Sequence, residues 1–577
     1  MSTTNKTFTP AWYEETAPQG SYRSIFKWGN LNEFKHPNRG LYELMKHTFN
    51  MTDEDFRQPR QMGLESVEFE APVRLKTSQV NKLREIVGNE NVRMDSYARL
   101  RATYGKGTID LIRLRNQVVE NIPDIVLCPR DSVDIEKIVT YCNDQKTPLY
   151  VYGGGTSVTR GFEAVKGGVT LDMGVYMNKV VDFNEIDRTV TVQAGMMGPE
   201  LEKLLNNAPE YFGSQRSYTC GHFPQSFEYS SVGGWVVTRG AGQNSTYYGK
   251  IEDIVLAQEY VTPIGTIKIP AYPRTATGPD LNQLMMGSEG DFGVLVNVTL
   301  KMFHYTPQNR KYFSYMFHDW EAARNAVREI MLGEFGFPSV FRLSDPEETD
   351  IAMRLYGVEG TVADSLLSGL GYQAKKACLL LGCTDGELGF CINLKNKVSR
   401  ICKRHGAFSL TLFKVAQAWE RGRFQDPYLR EDLLDYGIMI DTLECAVTWS
   451  QMEKVHAWAR AYIKNCPHTI CMAHLSHAYP QGGNLYFIFI AKLANVQEYL
   501  ELQYGVLDAI QKNGAAMSHH HGLGKQTTPW FVEQVERGHI DVLRSLKRHF
   551  DPNNIMNPGG TLGLDMSPEQ REKRWRK

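Results

Sequence analysis

Three consecutive histidines are the residues of this chain best suited to proton transfer. His519, His520 and His521 precede a Gly-Leu-Gly-Lys segment, 522–525, whose glycines predict a loop. A neutral imidazole accepts a proton near pH 7 from an alcohol or an acidic carbon. Alternate side chains of an extended segment point to opposite sides, so these three histidines cannot all face one metal ion. A metal site would need further ligands from distant parts of the chain, and we predict no metal site. Exposed loop histidines without a chemical role remain the alternative.

A tyrosine and two arginines complete the set of candidate catalytic side chains. Tyr479 precedes an apolar run at 485–490 that predicts a strand, and its phenol could exchange a proton with a carboxylate, although a buried tyrosine is more often a core residue. Arg342 alternates with apolar neighbours as if on a strand, and Arg430 lies in a Pro-Tyr-Leu-Arg-Glu-Asp segment. An arginine fork suits phosphate or carboxylate. Surface ion pairs are the alternative for both arginines.

Two glycine-rich segments indicate a binding site for a phosphate-containing molecule. Residues 151–161 read VYGGGTSVTRG and follow a strand-like run, and residues 231–242 read SVGGWVVTRGAG. Glycine lets backbone N–H groups approach an anion closely, and successive N–H groups form a nest that holds phosphate. Neither segment has the Gly-x-Gly-x-x-Gly or the Walker pattern. A plain turn would explain one such segment, but two of them can enclose a long diphosphate cofactor.

The glycine-rich segments resemble the PCMH-type FAD-binding domain of the vanillyl-alcohol oxidase / p-cresol methylhydroxylase superfamily. Within this superfamily the chain is most similar to the alkyldihydroxyacetonephosphate synthase family, flavoenzymes that make ether lipids. The similarity runs in order from 27–29 to 551–555, nearly the whole chain. The segments that carry it, besides the two above, are 121–127, 230–235, 249–253, 286–294 and 518–525.

The resemblance implies a set of FAD-binding positions. These are Gly153, Gly154, Gly155, Thr156, Ser157, Ser231, Gly233, Gly234, Arg239, Gly242, Gly249, Glu289, Gly290 and Val294. Covalent flavoproteins of the superfamily often have histidine in the first glycine loop, whereas this chain has Thr156, so we predict that FAD is bound non-covalently. Glu289 could equally be a carboxylate near a helix N-terminus.

The resemblance also implies roles for the candidate catalytic side chains. The histidine triplet would line the active site beside the flavin, with His521 as the main proton acceptor and His520 nearer the flavin. Tyr479 would be catalytic, and Arg342 and Arg430 would hold the anionic end of the substrate. The chain departs from the synthases in two places. His474 and His477 replace arginine and glutamine near the tyrosine, and residues 445–449 read CAVTW in place of a Thr-Ser-Ala-Pro-Trp-like run.

Bulk properties exclude several classes of protein. The chain has 577 residues, too many for one hydrophobic core, and its 64 basic and 65 acidic residues give no reason to expect a nucleic-acid partner. The ten cysteines show no Cys-x-x-Cys pair, so we expect reduced thiols. The sequence contains no transmembrane stretch, no N-terminal signal core and no C-terminal peroxisomal signal. We therefore predict a cytoplasmic protein, with a peripheral membrane contact left open.

The alternation of strand-like and helical runs predicts an α+β fold. We expect an N-terminal wrapping segment at 1–117 and a two-subdomain PCMH-type FAD-binding domain at 118–303. A cap domain with an antiparallel sheet flanked by helices would follow at 304–515. Residues 516–577 would carry the histidine loop and return to the FAD domain. Individual predictions include helices at 132–145, with Ser132 as N-cap, at 320–331 and at 496–512.

Two functions fit these residues. The first is alkyl transfer, in which a fatty alcohol replaces the acyl group of acyl-dihydroxyacetone phosphate without net redox, FAD carrying the difficult bond change. The second is oxidation of a 2-hydroxy acid or alcohol by FAD, with a histidine removing the hydroxyl proton. The fold cannot decide between a transferase and an oxidoreductase. A non-catalytic FAD-binding scaffold would not explain the arginines, Tyr479 and His521 together. The resemblance implies a homodimer.

Overall fold

The computed structural model describes residues 16–57, 59–355, 360–492 and 495–572. The termini on which the signal-sequence predictions depend, 1–15 and 573–577, therefore lie outside the described residues. Two kinds of secondary structure alternate through the described ranges, as predicted for an α+β fold. The strands are β1 Val92–Arg93, β2 Ile125–Leu127, β3 Leu149–Tyr152, β4 Val169–Asp172, β5 Val180–Asn184, β6 Thr189–Gln193, β7 Tyr218–Thr219, β8 Val255–Thr262, β9 Gly265–Lys268, β10 Val294–Lys301, β11 Phe303–His304, β12 Lys311–Phe317, β13 Val340–Ser344, β14 Cys378–Thr384, β15 Phe408–Ser409, β16 Ile438–Thr448, β17 Thr469–Tyr479 and β18 Gly482–Lys492.

Helices flank these strands throughout the described ranges. They are α1 Tyr22–Phe26, α2 Arg39–Thr48, α3 Thr77–Val87, α4 Ser96–Arg101, α5 Thr108–Arg115, α6 Ser132–Gln145, α7 Gly198–Asn206, α8 Ala208–Phe212, α9 Val232–Val237, α10 Ser245–Tyr248, α11 Ile251–Ile254, α12 Leu281–Met285, α13 Trp320–Met331, α14 Pro346–Leu355, α15 Val362–Gly369, α16 Leu388–Arg404, α17 Val415–Gly422, α18 Asp426–Leu434, α19 Trp449–Asn465, α20 Val496–Lys512, α21 Thr528–Gln534, α22 Arg537–Phe550 and α23 Pro568–Arg571. Among these helices, none is long and apolar enough to cross a bilayer.

Two sheets form the part of the molecule that contains the glycine-rich segments. One has the order β1-β2-β4-β3, with β2 and β3 parallel to β4, and the other has the antiparallel order β5-β6-β10-β8-β9. Each sheet has its own apolar core, one around β2–β4 and one around β6, β8 and β10. The first glycine-rich segment begins in β3, and the second begins at α9.

A seven-stranded antiparallel sheet forms the second part, with the order β15-β12-β14-β13-β17-β18-β16. Apolar side chains of its strands pack against α13, α16, α19 and α20 in the largest core of the molecule. This arrangement confirms the predicted antiparallel sheet flanked by helices. Strand β17 carries Tyr479 and β13 carries Arg342, while Arg430 lies on α18 and the histidine triplet lies between α20 and α21.

The first and last described segments pack onto these two parts. Near the N-terminus, Arg23 and Arg115 both pair with the buried Asp435 at 2.8 Å. Near the C-terminus, Ile555 O accepts the N–H of Leu149 at 2.7 Å, which places this segment beside β3. The domain boundaries themselves stay a prediction.

Local predictions held to different degrees. Helices α13 and α20 have the predicted bounds, because each has a clear apolar stripe and an N-cap side chain. The helix at 132–145 is also confirmed, but the predicted N-cap was wrong. Asp131, not Ser132, accepts the N–H of Asp134, so Ser132 is the first helical residue.

Candidate active site

The histidine segment is held from two sides by buried charged groups. The carboxylate of Glu444, on β16, accepts the backbone N–H groups of the three histidines at 2.7, 3.0 and 3.0 Å, and it accepts Ser518 Oγ at 2.7 Å. On the opposite side, Lys250 Nζ donates to the carbonyl of His519 at 2.7 Å. Further along, Glu289 accepts the N–H groups of Leu523 and Gly524, both at 2.7 Å. The backbone of the loop is therefore fixed independently of the imidazole rings.

Tyr479 and two of the histidines form a short hydrogen-bonded chain. Tyr479 Oη lies 2.7 Å from His519 Nε2, and His519 Nδ1 lies 3.1 Å from His520 Nδ1. If the phenol donates to His519, then the Nδ1 proton of His519 donates to His520, and the reverse tautomers reverse both bonds. In either case neutral imidazoles satisfy both contacts. The chain can thus pass a proton between the tyrosine and His520.

A bulge at the end of β17 aims these side chains into the site. The pairing of β17 with β18 shifts between Ser476 and Tyr479, and His477 within the shift has φ 47°, a conformation that L residues with a Cβ rarely adopt. The His477 ring lies 5.1 Å from that of His519 and 5.2 Å from that of His520, centroid to centroid. Tyr479, predicted to precede a strand, is itself the last residue of β17.

Burial keeps the histidines neutral. It lowers the pKa of His519 and His520 well below the usual value, and neighbouring histidines and Lys250 lower these pKa values further. His477 is lowered by burial, with a contribution from His474, to a pKa of about 3. Burial also lowers the pKa of His521, but Glu444 opposes this effect. Of the three consecutive histidines, His521 therefore has the environment that best accommodates an added proton.

Arg342 is already paired in this structure. It lies on β13, and its Nη2 donates to the buried Glu348 at 2.6 Å, while His474 Nδ1 contacts the same carboxylate oxygen at 3.0 Å. Burial alone would raise the pKa of Glu348, but Arg342 and His474 hold it at about 2. The His474 ring stacks on Tyr486 at 4.9 Å, and the Tyr486 ring in turn stacks on that of His520 at 5.9 Å. The structure thus does not bring Arg342 into direct contact with the triplet.

Arg430, unlike Arg342, has guanidinium nitrogens without a hydrogen-bond partner among the residues that the structure describes. Its side chain on α18 is buried, yet Nε and Nη2 have no hydrogen-bond partner in the described part of the chain. The nearest carboxylate, that of Glu431, lies 3.7 Å from Nη2, and the guanidinium carbon lies 5.9 Å from the centre of a Trp28 ring. Buried Lys106 lies nearby and donates to the carbonyl of Lys27 at 2.8 Å. Burial lowers the pKa of Lys106 to about 8, and Arg430 adds to this effect.

The two glycine-rich segments pack directly against each other. A Cβ on Gly153 would lie 2.3 Å from Ser231 Oγ, and one on Gly154 would lie 2.0 Å from the carbonyl oxygen of Tyr229. Gly155 has φ +69°, which also favours glycine. Only glycine at these positions permits the two backbones to approach this closely. The loops therefore meet at the carboxyl end of β3, as expected for a shared binding site.

The remaining predicted cofactor positions lie around these loops. Thr156 and Ser157 continue the first segment, and Gly233, Gly234 and Gly242 belong to the second. Gly249 and Gly290 have positive φ, and Val294 begins β10. Arg239 pairs with Glu252 at 3.6 Å. Glu289 differs from the rest, because both of its carboxylate oxygens bind the histidine loop.

Comparison with known proteins identifies the family. Residues 123–269 match the FAD binding domain model, and residues 306–561 match the model for FAD linked oxidases, C-terminal domain. The chain is 31% identical to the alkyldihydroxyacetonephosphate synthase of Dictyostelium discoideum over 83% of this chain and 80% of that protein. The chain belongs to the FAD-linked oxidase family.

Two further relatives show the range of this family. The cytochrome D-lactate dehydrogenase of Arabidopsis thaliana mitochondria is 34% identical over 76% of this chain and 73% of its own length. A solved structure of alkyldihydroxyacetonephosphate synthase superposes with a TM-score of 0.79 at 27% identity and covers 93% of this chain and 99% of that one. Family members thus include both transferases and oxidoreductases.

The residues present fit FAD, the cofactor of this family. The contact between the Gly153–Gly155 backbone and the segment at 229–231 leaves no room for side chains at Gly153 and Gly154. Glycine-rich backbone of this kind can offer its N–H groups to a diphosphate. Lys106 links the first loop to the cap side, because its backbone N–H donates to the carbonyl of Ser157 at 2.7 Å. These residues would hold the cofactor between the glycine loops and the histidine segment.

Two groups of side chains have donor atoms close enough to share a cation. Within each group the atoms lie within 4.8 Å of one another: His477 with His519 and His520, and Glu444 with His520 and His521. The same short separations arise from the hydrogen bonds described above. That the protein uses no metal stays a prediction.

Sequence reasoning missed several residues of this site. Glu444 is signalled only by an acidic residue in the middle of an apolar strand. Lys106 carries no local pattern that distinguishes it from a surface lysine, and Lys250 lies in segment 249–253, which carries the resemblance, but it was not assigned a role. His477 was noticed as a departure from the synthases, but its place against the histidine rings depends on the bulge.

Proposed function

We propose that this protein catalyses FAD-dependent alkyl transfer. Acyl-dihydroxyacetone phosphate and a fatty alcohol would yield alkyl-dihydroxyacetone phosphate and a fatty acid, without net redox. Similarity to the synthases over most of the chain supports this proposal, as does the superposition on a synthase structure. We also propose that FAD is bound non-covalently, because Thr156 stands where covalent members of the superfamily have histidine, and that the protein is a homodimer, as the resemblance implies.

The observation that carries the proposal is the hydrogen bond between Tyr479 Oη and His519 Nε2, 2.7 Å long. It joins two predicted catalytic side chains that are separated in sequence and lie on different elements. Burial raises the pKa of Tyr479 above its usual value, so the phenol keeps its proton at neutral pH. A protonated phenol beside neutral imidazoles can donate to a departing carboxylate, while a histidine accepts the proton of the incoming alcohol.

The proton of the alcohol would be taken by His521. Glu444 lies 3.7 Å from His520 Nδ1 and 3.9 Å from His521 Nδ1, so distance alone does not choose between these two rings. Burial, neighbouring histidines and Lys250 lower the pKa of His519 and His520, whereas the lowering of the His521 pKa by burial is opposed by Glu444. FAD, when bound, would supply the ring that carries the bond change at the substrate carbon. The protein side chains orient the two substrates, exclude water and move the two protons.

Arg430 is the better candidate for binding the anionic end of the substrate. Its Nε and Nη2 are buried and without partners among the described residues, so they can form two charged hydrogen bonds at once. Lys106 adds a second positive charge nearby. Arg342 would have to give up Glu348 first. We therefore propose that Arg430 binds the phosphate and that Arg342 organises the cap sheet through Glu348 and His474.

Oxidation of a 2-hydroxy acid or alcohol remains the second candidate. The specific observation in its favour is the cluster of buried, neutral histidines formed by His477, His519 and His520, because such a base can remove a hydroxyl proton. Similarity to a D-lactate dehydrogenase is consistent with it. In that case Arg430 would bind the carboxylate of the substrate.

One anaerobic experiment separates the two functions. Purified FAD-loaded protein is mixed with palmitoyl-dihydroxyacetone phosphate and labelled hexadecanol, with no electron acceptor present. Labelled ether product and free palmitate in equal amounts support alkyl transfer. Bleaching of the flavin by a hydroxy acid or alcohol, without ether product, would move the protein to the oxidoreductases.

A matched pair of variants tests the site assignment. Tyr479→Phe removes the phenol hydroxyl but keeps the ring, and it should leave FAD bound while abolishing turnover. Tyr504→Phe removes the hydroxyl of another buried tyrosine, outside the site, and should retain turnover. Full activity in Tyr479→Phe would show that the hydrogen bond to His519 has no part in the reaction.

A further inference from the structure

We propose that Glu444 is the positioning residue of this active site. Its carboxylate fixes the backbone of the histidine segment, and its charge faces the histidine that receives the proton. The proposal rests on the alkyl-transfer function for the identity of the reaction. It does not depend on that function for the positioning role.

The contacts of Glu444 are concentrated on one short segment. Oε1 accepts Ser518 Oγ and the N–H groups of His520 and His521, and Oε2 accepts the N–H of His519. Four donors from four consecutive residues therefore converge on one carboxylate, whose side chain is 1% exposed. Loss of this carboxylate would leave the N–H groups of His519 and His520 without an acceptor, whereas the N–H of His521 would keep Ser518 Oγ at 3.1 Å.

The strand neighbour of Glu444 holds the rings of the same segment. Tyr486, on β18, is the register partner of Glu444. Its ring stacks on His520 at 5.9 Å and meets His521 edge-on at 5.5 Å. Adjacent positions of two paired strands thus fix both the backbone and the rings of the loop.

The charge of Glu444 is maintained by the loop that it holds. Burial alone would raise its pKa, but His521, His519 and the backbone N–H groups outweigh burial and keep the pKa below the usual value. The ionised carboxylate lies 3.7 Å from His520 Nδ1 and 3.9 Å from His521 Nδ1. A proton that arrives on His521 would therefore be compensated by a charge already in place, with no rearrangement of the loop.

Three variants test the proposal. Glu444→Ala removes the acceptor, and Glu444→Gln keeps one acceptor oxygen but removes the charge. Asp441→Asn is the control for the backbone contacts, because Asp441 is a buried carboxylate of the same strand whose hydrogen-bond partners are Thr108, Tyr499 and Gln503. Its charge raises the pKa of His521, so this control applies to the exchange of the amides. All three are prepared as FAD-loaded full-length protein.

The first measurement is hydrogen exchange of the backbone amides at 519–521, followed by mass spectrometry. We expect exchange to be about ten- to a hundred-fold faster in Glu444→Ala, with Glu444→Gln between it and the wild type. Asp441→Asn should exchange like the wild type at these amides. Unchanged exchange in Glu444→Ala, or equal acceleration in Asp441→Asn, would overturn the proposal whatever reaction the protein catalyses.

The second measurement is steady-state kinetics of the reaction that the wild type performs. A misplaced histidine should lower kcat by about a hundred-fold in Glu444→Ala while KM changes little, since substrate binding is left to other residues. Partial recovery of kcat is expected in Glu444→Gln. The positioning role would be overturned if the amides at 519–521 exchanged faster in Glu444→Ala while kcat stayed at the wild-type value. If the wild type oxidises a hydroxy acid instead of forming the ether, the proposed function fails, and the positioning role is judged on kcat for oxidation.

Discussion

The two arginines of the site should respond to the same substitution in opposite ways. Arg342→Met removes a guanidinium that is bound to Glu348 at 2.6 Å, and it leaves that buried carboxylate with His474 as its remaining partner. Removing one member of a buried pair costs about 3 kcal/mol of folding free energy. Arg430→Met removes a guanidinium without a hydrogen bond from Nε or Nη2 in the described residues. We therefore expect the larger fall in Tm for Arg342→Met.

Catalysis should show the reverse order. If Arg430 binds phosphate through Nε and Nη2, each charged hydrogen bond contributes about 1.5–3 kcal/mol. Loss of both corresponds to a decrease in kcat/KM of about a hundred-fold to ten-thousand-fold. Arg342→Met should lower kcat/KM much less, because Arg342 does not contact the histidine triplet. Arg430→Lys, which keeps the charge but not the fork, should fall between the wild type and Arg430→Met.

The assay measures labelled ether product as a function of acyl-dihydroxyacetone phosphate concentration, and circular dichroism records thermal unfolding of the same preparations. Flavin content is measured for each variant, so that loss of cofactor is not mistaken for loss of substrate binding. The reasoning is refuted if Arg342→Met loses as much kcat/KM as Arg430→Met, or if the two variants unfold in the opposite order.

Three further predictions concern pH, the cofactor and metals. His222 is fully buried, with its ring centroid 4.8 Å from that of Trp235, and burial lowers its pKa from 6.5 to about 3. The unfolded state therefore binds a proton that the folded state does not, and on going from pH 7.5 to pH 5 the wild type should lose about 2 kcal/mol of stability relative to His222→Gln; equal pH profiles in urea unfolding would contradict this. Acid precipitation should release FAD into the supernatant, because Thr156 cannot form the histidine linkage, and flavin that stays with the pellet would show covalent attachment. Dialysis against EDTA should leave kcat unchanged, and a loss of activity that added zinc restores would show that the no-metal prediction is wrong.

The sequence was sufficient for the features that depend on local pattern. The stripe of α13 and the N-cap of α20 are visible in adjacent residues, and both helices were predicted with their bounds. The fold class followed from the order of strands and helices and from the glycine-rich segments. These features are short-range, so one sequence contains the information that determines them.

The site was less predictable because its partners are distant and many are backbone groups. Glu444 binds the N–H groups of residues more than seventy positions away, and a backbone donor leaves no trace in the sequence. Glu289 was placed with the flavin residues by its motif, yet its side chain binds Leu523 and Gly524. Residue type predicts anion binding for both Arg342 and Arg430. Only the structure shows that Arg342 is hydrogen-bonded to Glu348, whereas Nε and Nη2 of Arg430 have no hydrogen-bond partner among the described residues.

The arrangement of charge also constrains the direction of proton movement. Burial, neighbouring histidines and Lys250 lower the pKa of both His519 and His520, and Lys250 also binds the carbonyl of His519. These two histidines therefore favour the neutral form and suit proton transfer along the chain that starts at Tyr479. His521 faces Glu444 and can retain a proton. A proton given up by Tyr479 and a proton taken from an alcohol would therefore use different histidines. Transfer of one proton would then leave the protonation state of the other histidine unchanged. Substitution of His520 should then slow the step that depends on Tyr479, whereas substitution of His521 should slow attack by the alcohol.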